Sequence, residues 1–324
     1  MTSLQRRVFL AAGAAALALP AAAQQPYPSK PVRIVVPYPP GGLADAVARA
    51  IGEKLAAQMG QPFVVDNKAG ASGTIGVDAV AKAAPDGHTI GFTALSPLVL
   101  SPHLGKLPYE PETQIAPVVS VMYSPVLLLA TPALAARDFR ELMVLAKDKP
   151  RTVRWATSGA ASLGHLMLEQ LQDQARVEMV HIPYKGGGQQ MTDALSGQFE
   201  ILSTNAGPAV GEHIKAGKLR PLAVGAPKRL DSLPNVPTLA ELGYARANLS
   251  SQFGIVAPGG LPKALADKLN AQVNAILQLP EIRSRLVATD NVPTGGSADA
   301  FAQQIAAESQ ANLRIIRAVG IKAE

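Results

Sequence analysis

The chain of 324 residues carries 30 Lys and Arg against 24 Asp and Glu, a formal net charge of +6, and no cysteine. The absent thiol excludes disulfides, thiolate metal sites and cysteine nucleophiles together. The basic residues are scattered and tryptophan occurs once, so the clustered Lys/Arg with interleaved aromatics that nucleic-acid binding uses is missing.

Residues 1–23 read as an export signal. Arg6 and Arg7 form a basic n-region, Val8 to Leu19 an apolar run too short to span a bilayer, and Ala21-Ala22-Ala23 an A-x-A cleavage site. The mature chain is therefore expected to begin at Gln24 and to be periplasmic. Arg6-Arg7-Val8-Phe9-Leu10 also resembles a twin-arginine pattern, with Gln5 in place of Ser or Thr and Ala11 where Lys is common, so both export routes stay open. The roughly 300 residues that follow exceed what one core usually supports, and two lobes are expected.

Val32 to Val36 reads as a strand ended by Pro37, Pro39 and Pro40. Gly41-Gly42 then leads into a helix, Leu43 to Met59, with Val47, Ile51 and Leu55 at i,i+4 spacing and Gly60 after its end. Phe63 to Asp66 is the next strand, Ile75 to Ala84 a helix stopped by Pro85-Asp86-Gly87, and His88 to Ala94 a third strand. This βαβαβ order implies a parallel sheet flanked by helices. A second unit repeats the plan: strands at Val126 to Ala130, Val153 to Ala156, Met179 to Ile182, Phe199 to Ser203 and Leu219 to Val224. Its helices read at Asp138 onward, with a capping box to Glu141, and at Ser162 to Gln172, Gln189 to Leu195 and Pro208 to Ala216. Phe253 to Ala257 looks like a strand returning to the first lobe, followed by helices at Pro262 to Leu279 and Ser297 to Val319. The chain is then expected to cross between lobes twice, near Ser120 to Pro125 and near Ala245 to Gln252.

Ligands of open parallel sheets sit beyond the carboxyl ends of the strands. Here those ends carry Pro40-Gly41-Gly42, Gly70-Ala71-Ser72-Gly73-Thr74, Ser158-Gly159-Ala160-Ala161-Ser162, Tyr184-Lys185-Gly186-Gly187-Gly188 and Asn205-Ala206-Gly207. Gly and Ser are common in ordinary strand-to-helix turns, but four of these loops precede helix N-termini, whose free N–H groups and dipoles make a carboxylate site without a counter-charge. At Gly41, Gly42 and Gly73 the expectation is close backbone approach, aided by positive φ.

The segments Pro37-Tyr38-Pro39-Pro40-Gly41-Gly42-x-x-Asp45, Val64-Val65-Asp66-Asn67-Lys68-x-Gly70-x-x-Gly73-Thr74-Ile75-Gly76, Pro85-Asp86-Gly87-His88-Thr89, His181-Ile182-Pro183-Tyr184-Lys185-Gly186 and Leu233-Pro234-x-Val236-Pro237-Thr238 carry a resemblance. They are similar to signature segments of the tripartite tricarboxylate transporter substrate-binding family, the Bug proteins, across about Pro31 to Lys322. The resemblance implies an α/β periplasmic-binding-protein fold of type II, two lobes around a ligand cleft, without cofactor or metal. It implies residues 24–124 and 247–324 for the first lobe and 125–246 for the second. It further implies a receptor, expected to be monomeric, that captures a small organic carboxylate (a di- or tricarboxylate, amino acid or aromatic acid) for the permease subunits of a membrane transporter.

The candidate ligand-binding residues follow from the loops and the resemblance together. The first lobe supplies Tyr38, Pro40, Gly41, Gly42, Leu43 and Asp45, then Ser72, Gly73, Thr74 and Ser96. The second supplies Ser158, Gly159, Ala161, Ser162 and His165, then Lys185, Gly186 and Asn205. Asp45 would repel an anion and is read mainly as shaping its loop. Lys185 reaches either a distal ligand carboxylate or solvent, and Tyr38 either lines the pocket or packs on Pro39 and Pro40. The chain departs from the family's pattern in Gln252-Phe253-Gly254, where Trp-Phe-Gly is usual, in Ser72, where glycine is usual, in His88, where an aromatic often follows the Asp-Gly turn, and in Ser203-Thr204-Asn205, where an Asp is common near the cleft.

Enzyme motifs are missing. There is no Gly-x-Ser-x-Gly elbow, no Ser-x-x-Lys, no phosphate loop, and no zinc spacing among the five histidines. Ser162 and His165 share one helical turn and read as a capping serine and a packing or cleft histidine. A sensor subunit on the same fold, and an enzyme derived from it, remain the alternatives to a transport receptor.

Overall fold

β1 (Val32–Val36) is buried at every residue but Arg33, because a parallel strand is covered on both faces by its crossover helices. In the computed structural model, which describes residues 27–321, it pairs parallel with β2 (Phe63–Asn67) and β3 (Thr89–Ala94). The export signal and its cleavage site lie outside the described residues. α1 (Leu43–Met59) and α2 (Thr74–Ala81) form the two crossovers, as the βαβαβ reading requires. α2 stops at Ala81 short of the expected Ala84, since Pro85 disfavours helical backbone in the residue before it. Two single-turn helices follow, α3 (Ser96–Val99) and α4 (Pro111–Gln114), both too short to leave a sequence period.

The main departure from the sequence reading is β4 (Ile115–Ala130), a strand of 16 residues of which only Val126 to Ala130 was legible. Pro117 and Pro125 lack donors and argue against a central strand from sequence alone. Beyond it come α5 (Phe139–Asp148), β5 (Arg154–Thr157), α6 (Leu163–Ala175), β6 (Val180–Pro183), α7 (Gly187–Leu195), β7 (Ile201–Asn205), α8 (Pro208–Lys215) and β8 (Arg220–Gly225). β9 (Ser250–Pro258) then returns to the first lobe. Up to Pro125, β4 runs antiparallel to β9, with register shifts between Pro117 and Val119 and between Ser120 and Met122 that absorb the missing donor. From Val126 onward it leaves β9 and lies between β7 and β8. One strand thus belongs to both lobes. The chain closes with α9 (Lys263–Gln278), α10 (Pro280–Val287), the two-residue β10 (Val292–Pro293) on β4, and α11 (Ala298–Val319).

Each half of the sheet is covered on both faces. α1, α9 and α10 bury Ile51, Leu55, Val273 and Ile282 on one side of the first half, and α2 buries Val77 and Val80 on the other. Removing such aliphatic side chains from water is worth about 1.5–3 kcal/mol each. The second half packs α5 and α6 around Trp155, and α7 and α8 around Phe199 and Leu202. α11 spans the two: Phe301 is buried in the first lobe and Ile316 in a core of the second. Among the described residues no helix is long and apolar enough to cross a membrane.

Candidate functional site

Five loops at the carboxyl ends of the parallel strands meet around a cavity of about 320 Å³ between the lobes. α1 enters it from the first lobe, with Gly42 as N-cap and no side-chain cap. α7 and α8 enter from the second, N-capped by Gly186 and Gly207, again without side-chain caps. Their first-turn N–H groups are therefore left for a ligand, and each helix end carries about half a positive charge. The fourth helix, α6, is capped by Ser162, whose Oγ accepts from the N–H of His165. Among the described residues the cavity lining contains no Asp, Glu, Lys, Arg or His. Its polar groups are those of Ser72, Ser96, Ser158, Ser162, Ser203, Thr204, Asn205 and Ser251, and its apolar wall comes mainly from Leu43, Val126, Leu163, Met191, Val210 and Phe253.

The first loop is held by a buried carboxylate. Oδ2 of Asp45 accepts from the N–H of Gly41 at 3.0 Å, and Arg49 pairs with Asp45 at 2.9 Å. Arg49 also donates to Oδ1 of Asn67 at 3.2 Å, and Asn67 donates to the Tyr38 carbonyl at 3.1 Å. Burial raises the affinity of Asp45 for its proton, but the bonds from Arg49, Gly41 and Asn67 outweigh that and hold the carboxyl below its usual range. Asp45 does not line the cavity and acts by fixing the loop. Gly41 adopts φ +81°, as expected, whereas Gly42 is extended with φ −80°, so its value lies in the open space its missing side chain leaves. Tyr38 lines the floor beside Phe253, ring centroids 6.5 Å apart, and burial pushes its hydroxyl up to about 12.

The second loop makes a 3-10 turn in which Ala71 and Ser72 take φ of 44° and 54°, unusual for residues with a side chain. Ser72 lines the cavity and donates its hydroxyl to the carbonyl of Ala160 in the opposite lobe. Gly73 and Thr74 stand back from the cavity. A Cβ on Gly73 would lie 2.9 Å from Pro97, and Thr74 donates to the Ala71 carbonyl at 2.9 Å.

From the second lobe, Ser158, Ser162 and Asn205 line the cavity, while Gly159, Ala161, His165, Lys185 and Gly186 do not. His165 lies behind its loop, with Nδ1 accepting from the N–H of Ala161 at 3.4 Å and the ring stacked on His181 at 3.9 Å and 7°. Burial, with His165 against it, pushes His181 down to about 3. Oγ1 of Thr157 lies 2.7 Å from Nε2 of His181. Lys185 is exposed, away from the lining. Gly186 has φ +121° and packs so tightly on Pro39 of the first lobe that a Cβ would sit 2.5 Å from the proline ring.

Residues the sequence left unassigned complete the site. Gly187 and Gly188 close the glycine run and Met191 follows it one turn on, and Phe253 and Ser251 arrive on the returning strand. Gln252, between them, points away and donates to Ser120 and to Gln304 of α11 at 2.9 and 2.8 Å. Nothing local in the sequence marked Val126, Met191 or Phe253 as cavity residues.

A cleft between two α/β lobes, lined by uncapped helix ends and free of charged side chains and of metal-binding clusters among the described residues, is the architecture of a solute-binding receptor. Residues 47–321 match the family described as "Tripartite tricarboxylate transporter family receptor". The chain belongs to this family. It is 35% identical to protein BugT of Bordetella pertussis over 99% of both chains. Its fold superposes on the periplasmic binding protein BugD (30% identity, TM-score 0.86, covering 92% of this chain and all of the other). It superposes equally on Rpa4515 of R. palustris with adipate (32%, TM-score 0.87, covering 91% and 99%). A third match is MatC of Rhodopseudomonas palustris with bound malate (28%, TM-score 0.84, covering 90% and 100%).

Proposed function

We propose that this chain is an exported periplasmic receptor, cleaved after Ala23, that closes as a monomer on one small organic carboxylate. It then delivers the acid, without chemical turnover, to the permease subunits of a tripartite tricarboxylate-type transporter. The observation that carries this reading is the convergence of three uncapped helix N-termini on a cavity with no charged lining. A carboxylate there is met by backbone N–H groups, each charge-assisted bond contributing about 1.5–3 kcal/mol. The adipate and malate seen in two relatives support a small acid of this class. Residues 24–124 with 247–324 and residues 125–246 are the closing units, hinged where β4 changes partners at Pro125 and Val126.

The test is a thermal-shift panel of organic acids followed by calorimetric titration. A binding acid raises Tm by mass action, by an amount set by its concentration relative to Kd. Gly42→Val places a branched side chain in the anion's space and is expected to abolish that shift while circular dichroism stays native. A panel in which no carboxylate shifts Tm overturns the reading.

A further inference from the structure

Asn205, the last residue of β7, sits at the point where β4 passes from one lobe to the other, opposite Val126. Its amide nitrogen lies 3.4 Å from the carbonyl oxygens of both Ser124 and Pro125. Only a donor fits between two acceptors, so Nδ2 faces the hinge backbone and Oδ1 faces away from it, in a residue that lines the cavity. Among the described residues Oδ1 has no hydrogen-bond partner.

We infer that Asn205 is a specificity-determining residue that selects carboxylates bearing a hydroxyl, that is, hydroxy acids. This rests on the carboxylate-receptor reading above and narrows it. An acceptor-only oxygen repels a second carboxylate and gains nothing from a methylene, so the group it recognises is a donor. An ammonium also donates, but no carboxylate lines the cavity to balance a desolvated cation. A hydroxyl is neutral and donates to Oδ1 of Asn205 without a counter-charge. The α1 end then holds the acid's carboxylate, and β7 reads what its carbon skeleton carries. The same geometry rejects amino acids.

Matched triplets differing in one group test this by calorimetry on the full mature protein. They are malate, aspartate and succinate; lactate, alanine and propionate; and mandelate, phenylglycine and phenylacetate. In whichever triplet binds, the hydroxy acid is expected to bind about tenfold tighter than the unsubstituted acid, the effect of one hydrogen bond to a desolvated acceptor, and the amino acid most weakly. Asn205→Leu should bring the hydroxy and unsubstituted acids to within about twofold by weakening only the former. Asn205→Ser is the smaller companion change if the leucine disturbs β7. Equal wild-type affinity for the hydroxy and unsubstituted acids overturns the inference and leaves the carboxylate reading intact. So does a preference that survives Asn205→Leu in folded protein. If no acid of any triplet binds, the inference falls, and the carboxylate reading falls with it only when the wider thermal-shift panel is also empty.

Discussion

Ser72→Ala isolates one bond between the lobes. Ser72 holds a left-handed backbone at φ 54° and donates its hydroxyl to Ala160 across the cleft. Alanine keeps the Cβ and the backbone conformation and deletes only the hydroxyl. Its partner carbonyl belongs to the other half of the sheet, so under the proposed hinge closure the bond exists only when the cleft is shut. The open state is untouched, and the whole loss falls on closure. A net neutral hydrogen bond is worth about 0.5–1.5 kcal/mol, which corresponds to a rise in Kd of about 2- to 12-fold. That rise should appear in the dissociation rate, because closed-state contacts govern escape and leave encounter alone. Stopped-flow dissociation and calorimetric titration with the acid found in the panel measure both. The Tm of the unliganded protein should move little, since an exposed hydroxyl in the open form has water for a partner. Unchanged Kd and dissociation rate in Ser72→Ala would refute the latch. So would a loss confined to the association rate.

Gly186→Ala puts a Cβ 2.5 Å from the rigid ring of Pro39, at φ +121°, and is expected to weaken binding more than tenfold in a folded protein. Adding Pro39→Ala should recover part of that affinity, and no recovery would argue against a closure clash. His181, held near 3 by burial and by His165, stays neutral in the native state while the unfolded chain titrates near 6.5. As pH falls from 6.5 to 5 the unfolded state takes a proton the native state refuses, so stability present above pH 6.5 declines. Tm against pH should slope less in His181→Gln than in wild type, and parallel curves would sink the assignment.

Much of the fold was legible because it is encoded locally. The i,i+4 apolar spacing of Val47, Ile51 and Leu55, the proline stop after Val36 and the capping box at Asp138 act within a turn or two of chain. Short-range sterics and hydrogen bonds settle them before any tertiary contact forms. The loops around the cavity were equally readable, since glycine at the N-cap positions of α1, α7 and α8 leaves those helix ends without side-chain caps. Ten of the eighteen expected residues line the cavity, which shows where local reasoning stops. Gly73 and Gly186 lie in the right loops but face Pro97 and Pro39, and His165 turns inward to meet His181. Which side of a loop faces the cleft depends on what packs behind it, and that partner is distant in sequence. The tertiary structure alone carried β4 through two prolines: register shifts against β9 follow Pro117, and Pro125 falls where the strand exchanges β9 for β7 and β8. It alone set Ser72 against Ala160, 88 residues away, and Asn205 against Ser124 and Pro125, 81 and 80 residues away. No periodicity reports such pairings; they arise only when two cores, each folded on its own pattern, are brought face to face by the strand they share.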